Sequence, residues 1–187
     1  KRILKTSLKI LSGKVYLNFR EIIKYAMCEY MNDVTNTLSG LSAEERRYQP
    51  SQESHHIDFV VWHMARVEDV HLHRMIQGKE QIWIRDGWDG NLGMTGEGTG
   101  FGYTAEQVAT LPTFNMNHLL EYYAVVRTEV FDYIDGLNLS DLGVELDEQR
   151  KSPFNTPGKT LSHLVVEEAE HTGQIRYLRG IQRGINK

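Results

Sequence analysis

The chain has 187 residues, of which 40% are hydrophobic, a formal net charge of −4 and one cysteine. This length fits a single globular domain over residues 1–187. The scattered basic residues argue against nucleic acid as the main partner, and every apolar run is far shorter than the roughly 20 residues that cross a bilayer. The lone Cys28 excludes an internal disulfide.

The basic N-terminal stretch, residues 1–13, alternates lysines with apolar residues and lacks a small-residue cleavage site. We therefore predict no signal peptide. Together with the single cysteine, this indicates a cytoplasmic protein.

Four long segments repeat apolar residues at the spacing of an amphipathic α-helix. Gly40, Gly78 and Gly136 follow the first three segments and are typical helix stops. Four amphipathic helices with one long connection predict an all-α bundle. The predicted helices are Tyr16–Leu38, His56–Gln77, Asn115–Ile134 and Lys159–Gln182.

Shorter elements lie between the long helices. Ser42 with Glu45 and Thr104 with Gln107 have the spacing of a capping box, which predicts two short helices. Ile82–Trp88 is expected to be a short helix or an irregular segment, and the residues around Val144–Leu146 are a candidate for a brief strand.

The segment from Asp86 to Tyr103 contains seven glycines and cannot form a regular helix. A loop of this length in a compact domain is usually functional or disordered. Its aromatic residues indicate packing, so we predict a mouth or lid over a site. Asp86, Trp88 and Tyr103 are candidates for lining the entrance, although packing within the loop is the favoured interpretation.

The fourth helix carries ionisable residues on or beside its apolar face. Burying such groups is costly unless they are paired or bind a metal. His163, Glu167 and His171 are spaced one turn apart. His163 and His171 are separated by roughly 12 Å of helix rise and cannot share an ion. The usable pair is therefore Glu167 with either His171 or His163.

A further ligand is expected from the second helix, which holds four of the eight histidines. One arrangement is a mononuclear site of His63, Glu167 and His171. A second is a di-metal carboxylate site, which helical periodicity mildly favours. A third interpretation is a core histidine that only hydrogen-bonds a glutamate. The di-metal ligands would be Glu68, His71, Glu168 and His171, with Glu29 and Glu121 or Glu129.

Three stretches resemble the DinB-like superfamily of four-helix bundles, and the resemblance covers nearly the whole chain. They are L-S-A-E-E-R-R-Y-Q-P, H-I-D-F-V-V-W-H-M-A-R-V-E-D and E-E-A-E-H-T-G-Q-I-R-Y-L-R. The resemblance implies an up-down-down-up four-helix bundle with a long Gly-rich loop between helices two and three. It also implies a divalent metal held by His63, Glu167 and His171, with Glu167 standing where the family pattern has histidine.

The resemblance implies an enzyme whose zinc, nickel or ferrous ion lowers the pKa of a bound water or thiol. The implied reaction transfers a low-molecular-weight thiol, such as bacillithiol or mycothiol, to an electrophile, and a homodimer is also implied. Glu168, Glu170 and His163 are candidates for outer contacts or proton transfer. The alternatives are a non-catalytic, stress-associated metal-binding or interaction module, a ferritin-like di-metal protein, and a site that has lost its metal through the Glu167 replacement.

Overall fold

The computed structural model describes residues 10–11, 14–15, 17–150 and 152–184. The signal-peptide prediction rests mostly on residues outside these ranges, and Tyr16 also lies outside them, but Leu17 and Asn18 are described and are not helical. Within these ranges the regular structure is helical apart from two short antiparallel strands, Ile10–Leu11 and Lys14–Val15. The α-helices are α1 Phe19–Leu38, α2 Ala43–Arg47, α3 Ile57–Asp69, α4 Ile82–Arg85, α5 Trp88–Asn91, α6 Ala105–Ala109, α7 Met116–Gly136 and α8 Pro157–Arg183.

Side-chain caps determine where these helices begin. The Asn18 side chain accepts hydrogen bonds from the backbone N–H groups of Arg20 and Glu21, so α1 starts at Phe19 rather than at Tyr16. These bonds satisfy donors that lack a partner within the helix. Both predicted capping boxes are confirmed, at Ser42 before α2 and at Thr104 before α6.

The predicted second helix changes its winding midway. It continues from α3 as a π-helical segment, Val70–Gln77, and ends at Gly78, whose φ of 66° is left-handed. Because a π-turn holds more residues than an α-turn, positions after Val70 leave the α-helical phase. His71, the second residue of this segment, is nevertheless buried, as α-helical periodicity predicted.

The four long helices enclose the core. Helix α1 packs against α7 and α8, and α3 packs against the same two helices. Fully buried apolar side chains from all four meet between them, which positions α3 directly beside α8. The buried set includes Met27, Val34, Val60, Met64, Tyr123, Val126, Val130, Leu161, Leu164 and Ile175.

The connections differ from the predictions in detail. The Gly-rich segment contains the four-residue helix α5, and the predicted helix over residues 82–88 is divided between α4 and α5. Val144–Leu146 is not a strand, although the Leu146 N–H donates to the Asn155 carbonyl at 2.8 Å. Two 3₁₀ turns, Leu139–Gly143 and Glu148–Arg150, lie in this connection. Among the described residues, no helix is both long and apolar enough to cross a membrane.

Candidate metal centre

Three potential ligand side chains converge between α3 and α8. His63 extends from α3, and Glu167 and His171 lie one turn apart on α8, with donor atoms all within 4.8 Å of one another. Glu167 Oε1 lies 3.4 Å from His63 Nε2 and 3.8 Å from His171 Nε2. Within the described part of the chain, this is the group of three or more His, Cys, Asp or Glu residues compact enough to hold one ion.

Both histidines direct Nε2 toward the centre because Nδ1 is engaged elsewhere. His63 Nδ1 lies 2.6 Å from the Thr99 carbonyl oxygen, to which only an N–H can donate. His171 Nδ1 lies 3.0 Å from Gln174 Oε1. With Nδ1 protonated, a neutral imidazole has its lone pair on Nε2, and such outer contacts typically orient metal-binding histidines.

The electrostatics of the centre favour an ionised carboxylate. Burial raises the pKa of Glu167, but the nearby imidazoles of His171 and His63 outweigh it and hold the pKa well below its usual range. Burial lowers the pKa of His171, and its contacts with Glu167 and Gln174 reverse that shift and raise the pKa. A carboxylate that two imidazoles keep anionic is also a competent metal ligand.

The donor set and its spacing suit a divalent transition metal. Two imidazoles and one carboxylate are typical ligands of zinc and ferrous iron, and they leave positions open for substrate. Ligands about 2.1 Å from a tetrahedral ion lie about 3.4 Å apart. Glu167 Oε1 is 3.4 and 3.8 Å from the two imidazole nitrogens, and all three donor atoms lie within 4.8 Å of one another. The residues present therefore fit the ion that the resemblance implies.

The Gly-rich segment forms a fixed wall beside the centre. Four consecutive carbonyl groups, of residues 96–99, all accept hydrogen bonds from side chains of α3 and α4. In chain order the donors are Trp83 Nε1 at 2.9 Å, Arg66 Nη2 at 3.0 Å, Arg66 Nε at 3.2 Å and His63 Nδ1 at 2.6 Å. This part of the predicted lid is thus tied to the helices.

The loop residues proposed for an entrance take part in packing. Trp88 lies against Tyr122 with ring centroids 5.6 Å apart, and Tyr103 lies against Trp62 at 6.0 Å. Asp86 accepts a hydrogen bond from the neighbouring arginine. Packing, the favoured interpretation, is confirmed for the two aromatic residues.

The carboxylates of the di-metal alternative are already engaged. Glu68 and Glu168 are fully buried, as periodicity predicted. Glu68 Oε2 accepts from Arg127 Nε at 2.9 Å, and its Oε1 accepts from Tyr30 and Tyr123 at 3.0 Å each. The Tyr123 hydroxyl also lies 2.6 Å from Glu168 Oε2. Glu168 Oε1 has no hydrogen-bond partner in the described part of the chain, but Arg127 already supplies a positive charge beside Glu68, which argues against ions at this position.

The remaining candidates are dispersed. Glu29 and Glu121 are exposed, whereas Glu129 pairs with Arg85 at 2.8 Å. Glu170 is also exposed, and His163 contacts the second oxygen of Glu167.

Sequence reasoning missed several residues that support the centre. Gln174 had a usable signal, since it follows His171 by three positions on one helix face. Arg127, which pairs with Glu68 rather than with the centre, also had a signal, because it lies one turn after the buried Tyr123. No sequence signal pointed to the Thr99 carbonyl, since every residue has a backbone carbonyl whatever its side chain.

The chain is similar to a known protein family and to a solved structure. A family model described as mycothiol-S-transferase matches residues 23–184. No curated protein matches the chain. A solved structure of a conserved protein from Enterococcus faecalis is similar, with a TM-score of 0.78 and 18% identity over 91% of this chain and 100% of that chain. At this identity, the likeness shows the fold.

Proposed function

Because the chain belongs to the mycothiol-S-transferase family, which is DinB-like, we propose that it is a metal-dependent thiol S-transferase. The observation that carries the proposal is the convergence of His63, Glu167 and His171, with both Nε2 atoms directed inward. The substrate we propose is a low-molecular-weight thiol, with mycothiol the first choice and bacillithiol the second.

We assign the binding of the ion to His63 Nε2, His171 Nε2 and Glu167 Oε1. Zinc, nickel and ferrous iron all suit this set. When bound, the ion supplies Lewis acidity that lowers the pKa of a thiol. In the transfer, the thiol loses its proton, its sulfur bonds to the electrophilic atom, and the leaving group departs with the electron pair of the broken bond.

The protein's own residues orient the proposed ligands. Thr99 and Gln174 hold the two imidazoles. The Phe59 ring lies parallel to that of His63, with ring centroids 5.8 Å apart. The single cysteine, Cys28, lies on α1 rather than on α3 or α8, the two helices that carry the proposed ligands, which fits a reacting sulfur from an external thiol.

Metal content is the direct test of the assignment. Protein purified without chelator should hold one ion per chain by elemental analysis, and H63A or H171A should lose it. H118A is the matched control, because His118 is exposed on α7. An unmodified protein without metal would refute the metal centre.

Turnover tests the reaction separately. The metal-loaded protein should conjugate mycothiol or bacillithiol to a haloalkyl electrophile. Mass spectrometry measures the conjugate that forms. Bound metal without conjugation of any thiol would instead support the non-catalytic metal-binding alternative.

We also propose that the long helices form a single up-down-down-up four-helix bundle domain with the Gly-rich loop between helices two and three. We further propose that the protein is a cytoplasmic homodimer. Light scattering during size-exclusion chromatography measures the oligomeric state, and a monomeric mass would contradict the dimer.

A further inference from the structure

Arg66 lies one helical turn after His63 on α3, and its side chain is fully buried. A guanidinium has five N–H groups, and here each of them donates to a different acceptor. Two bind carbonyl groups of the Gly-rich loop, those of Gly98 at 3.2 Å and Glu97 at 3.0 Å. The other three bind buried side chains, which are Gln81 Oε1 at 2.5 Å, the Tyr122 hydroxyl at 3.1 Å and Asp69 Oδ2 at 3.2 Å.

The side-chain partners of Arg66 are themselves fixed. Asp69 is fully buried and accepts hydrogen bonds from the backbone N–H groups of Ile82 and Trp83 at the start of α4, at 3.0 and 2.8 Å. The Tyr122 hydroxyl donates to the same carboxylate at 2.7 Å. The guanidinium also lies over the Trp83 ring, 4.6 Å from its centroid. Contacts with α4 and α7 therefore hold the guanidinium on one side, and the guanidinium holds the loop on the other.

The next carbonyl along the loop, that of Thr99, accepts from His63 Nδ1 at 2.6 Å. We propose that Arg66 is a positioning residue for the metal centre. It holds the two preceding carbonyls and thereby places the Thr99 carbonyl against His63. That contact keeps the imidazole proton on Nδ1 and leaves the Nε2 lone pair for the ion. The inference rests on the proposed metal centre.

R66K tests the role of the guanidinium fork. Lysine keeps the charge, but its three donors lie on one atom and cannot serve both the loop and Asp69. We expect R66K to weaken Zn²⁺ affinity by about 10- to 100-fold, measured by competition with a chromophoric chelator. In metal-free R66K, ¹⁵N NMR should show part of the neutral His63 ring with its proton on Nε2. The unmodified protein should show the Nδ1–H form alone.

Y122F is the matched control within the same network. It removes the hydroxyl that binds Arg66 and Asp69, while Arg66 keeps both donors to the loop carbonyls. Y122F should therefore lower the free energy of unfolding, measured with urea in the absence of metal. It should leave the Zn²⁺ affinity and the proton position of His63 unchanged.

An R66K protein with the Zn²⁺ affinity and the His63 proton position of the unmodified protein would overturn the proposal. An equal loss of affinity in R66K and Y122F would also overturn it, because the network would then act through stability alone. If urea unfolding shows that R66K does not fold, R66M/D69N replaces it, since this variant removes the donors together with the facing charge. Retained Zn²⁺ affinity in R66M/D69N would equally overturn the proposal. No Zn²⁺ binding by the unmodified protein would refute the metal centre, whereas the proton position of His63 would still test Arg66.

Discussion

Gly100 is where the Gly-rich wall approaches the core most closely. A Cβ at this position would lie 2.9 Å from Phe59 Cε2 and 2.9 Å from Trp62 Cζ3. Both rings are buried among core side chains and cannot move aside easily. Overpacking of this kind costs about 1–3 kcal/mol, and the φ of +95° adds about 1–2 kcal/mol for a residue with a side chain. G100A should therefore lower the free energy of unfolding by about 2–5 kcal/mol.

The same substitution should affect the metal centre. Relief of the clash moves the backbone outward, and the adjacent Thr99 carbonyl then leaves His63 Nδ1. Loss of such an outer contact typically costs about 10- to 100-fold in metal affinity. Chelator competition with Zn²⁺ measures this loss, and urea unfolding without metal measures the stability separately.

Gly102 offers a matched control in the same loop. Its φ of +73° carries similar backbone strain, but a Cβ there meets no atom within 4 Å. G102A should therefore cost only about 1–2 kcal/mol and leave Zn²⁺ affinity nearly unchanged. Equal effects of G100A and G102A on stability and on affinity would refute the reasoning, since the contacts with the two rings would then be irrelevant.

Two further predictions concern buried charge. Burial lowers the pKa of His73, but its contacts with Asp69 and Glu129, at 2.7 and 2.8 Å, raise it overall. A raised histidine pKa stabilises the fold fully below the unfolded pKa of about 6.5, and this stabilisation is lost as pH rises through the folded value. The stability difference between the unmodified protein and H73Q should thus shrink between pH 6 and 9, and a constant difference would contradict the assignment. R127M should lower the free energy of unfolding by about 3–5 kcal/mol, because Glu68 would remain buried without its partner. Urea unfolding measures this, E68Q/R127M should recover part of it, and an unchanged stability would show that the pair contributes nothing.

The helices of this protein could be predicted from sequence because their signals are local. Apolar spacing and capping residues act within a few positions, so the Thr104 cap and the stop at Gly78 were placed correctly. The predicted start of α1 was wrong by three residues, because the cap at Asn18, rather than an apolar residue, determines where the helix begins.

Only part of the candidate site could be predicted from the sequence. Helix geometry paired Glu167 with either His163 or His171, and the family resemblance selected His171 and supplied His63. Periodicity correctly placed Glu68 and Glu168 in the core but suggested ions there, because a helical pattern does not reveal what lies opposite.

What the sequence determined by itself is the set of helices, the buried faces and the spacing of the candidate ligands on α8, since each depends on residues close together in the chain. Tertiary structure decided the rest. It placed Arg127 against Glu68, and it brought the Thr99 carbonyl to His63. Both contacts join segments that are distant in the chain, and the second uses a backbone group that every residue possesses. Their energies depend on the packing of α3 beside α7 and α8, which no local pattern encodes.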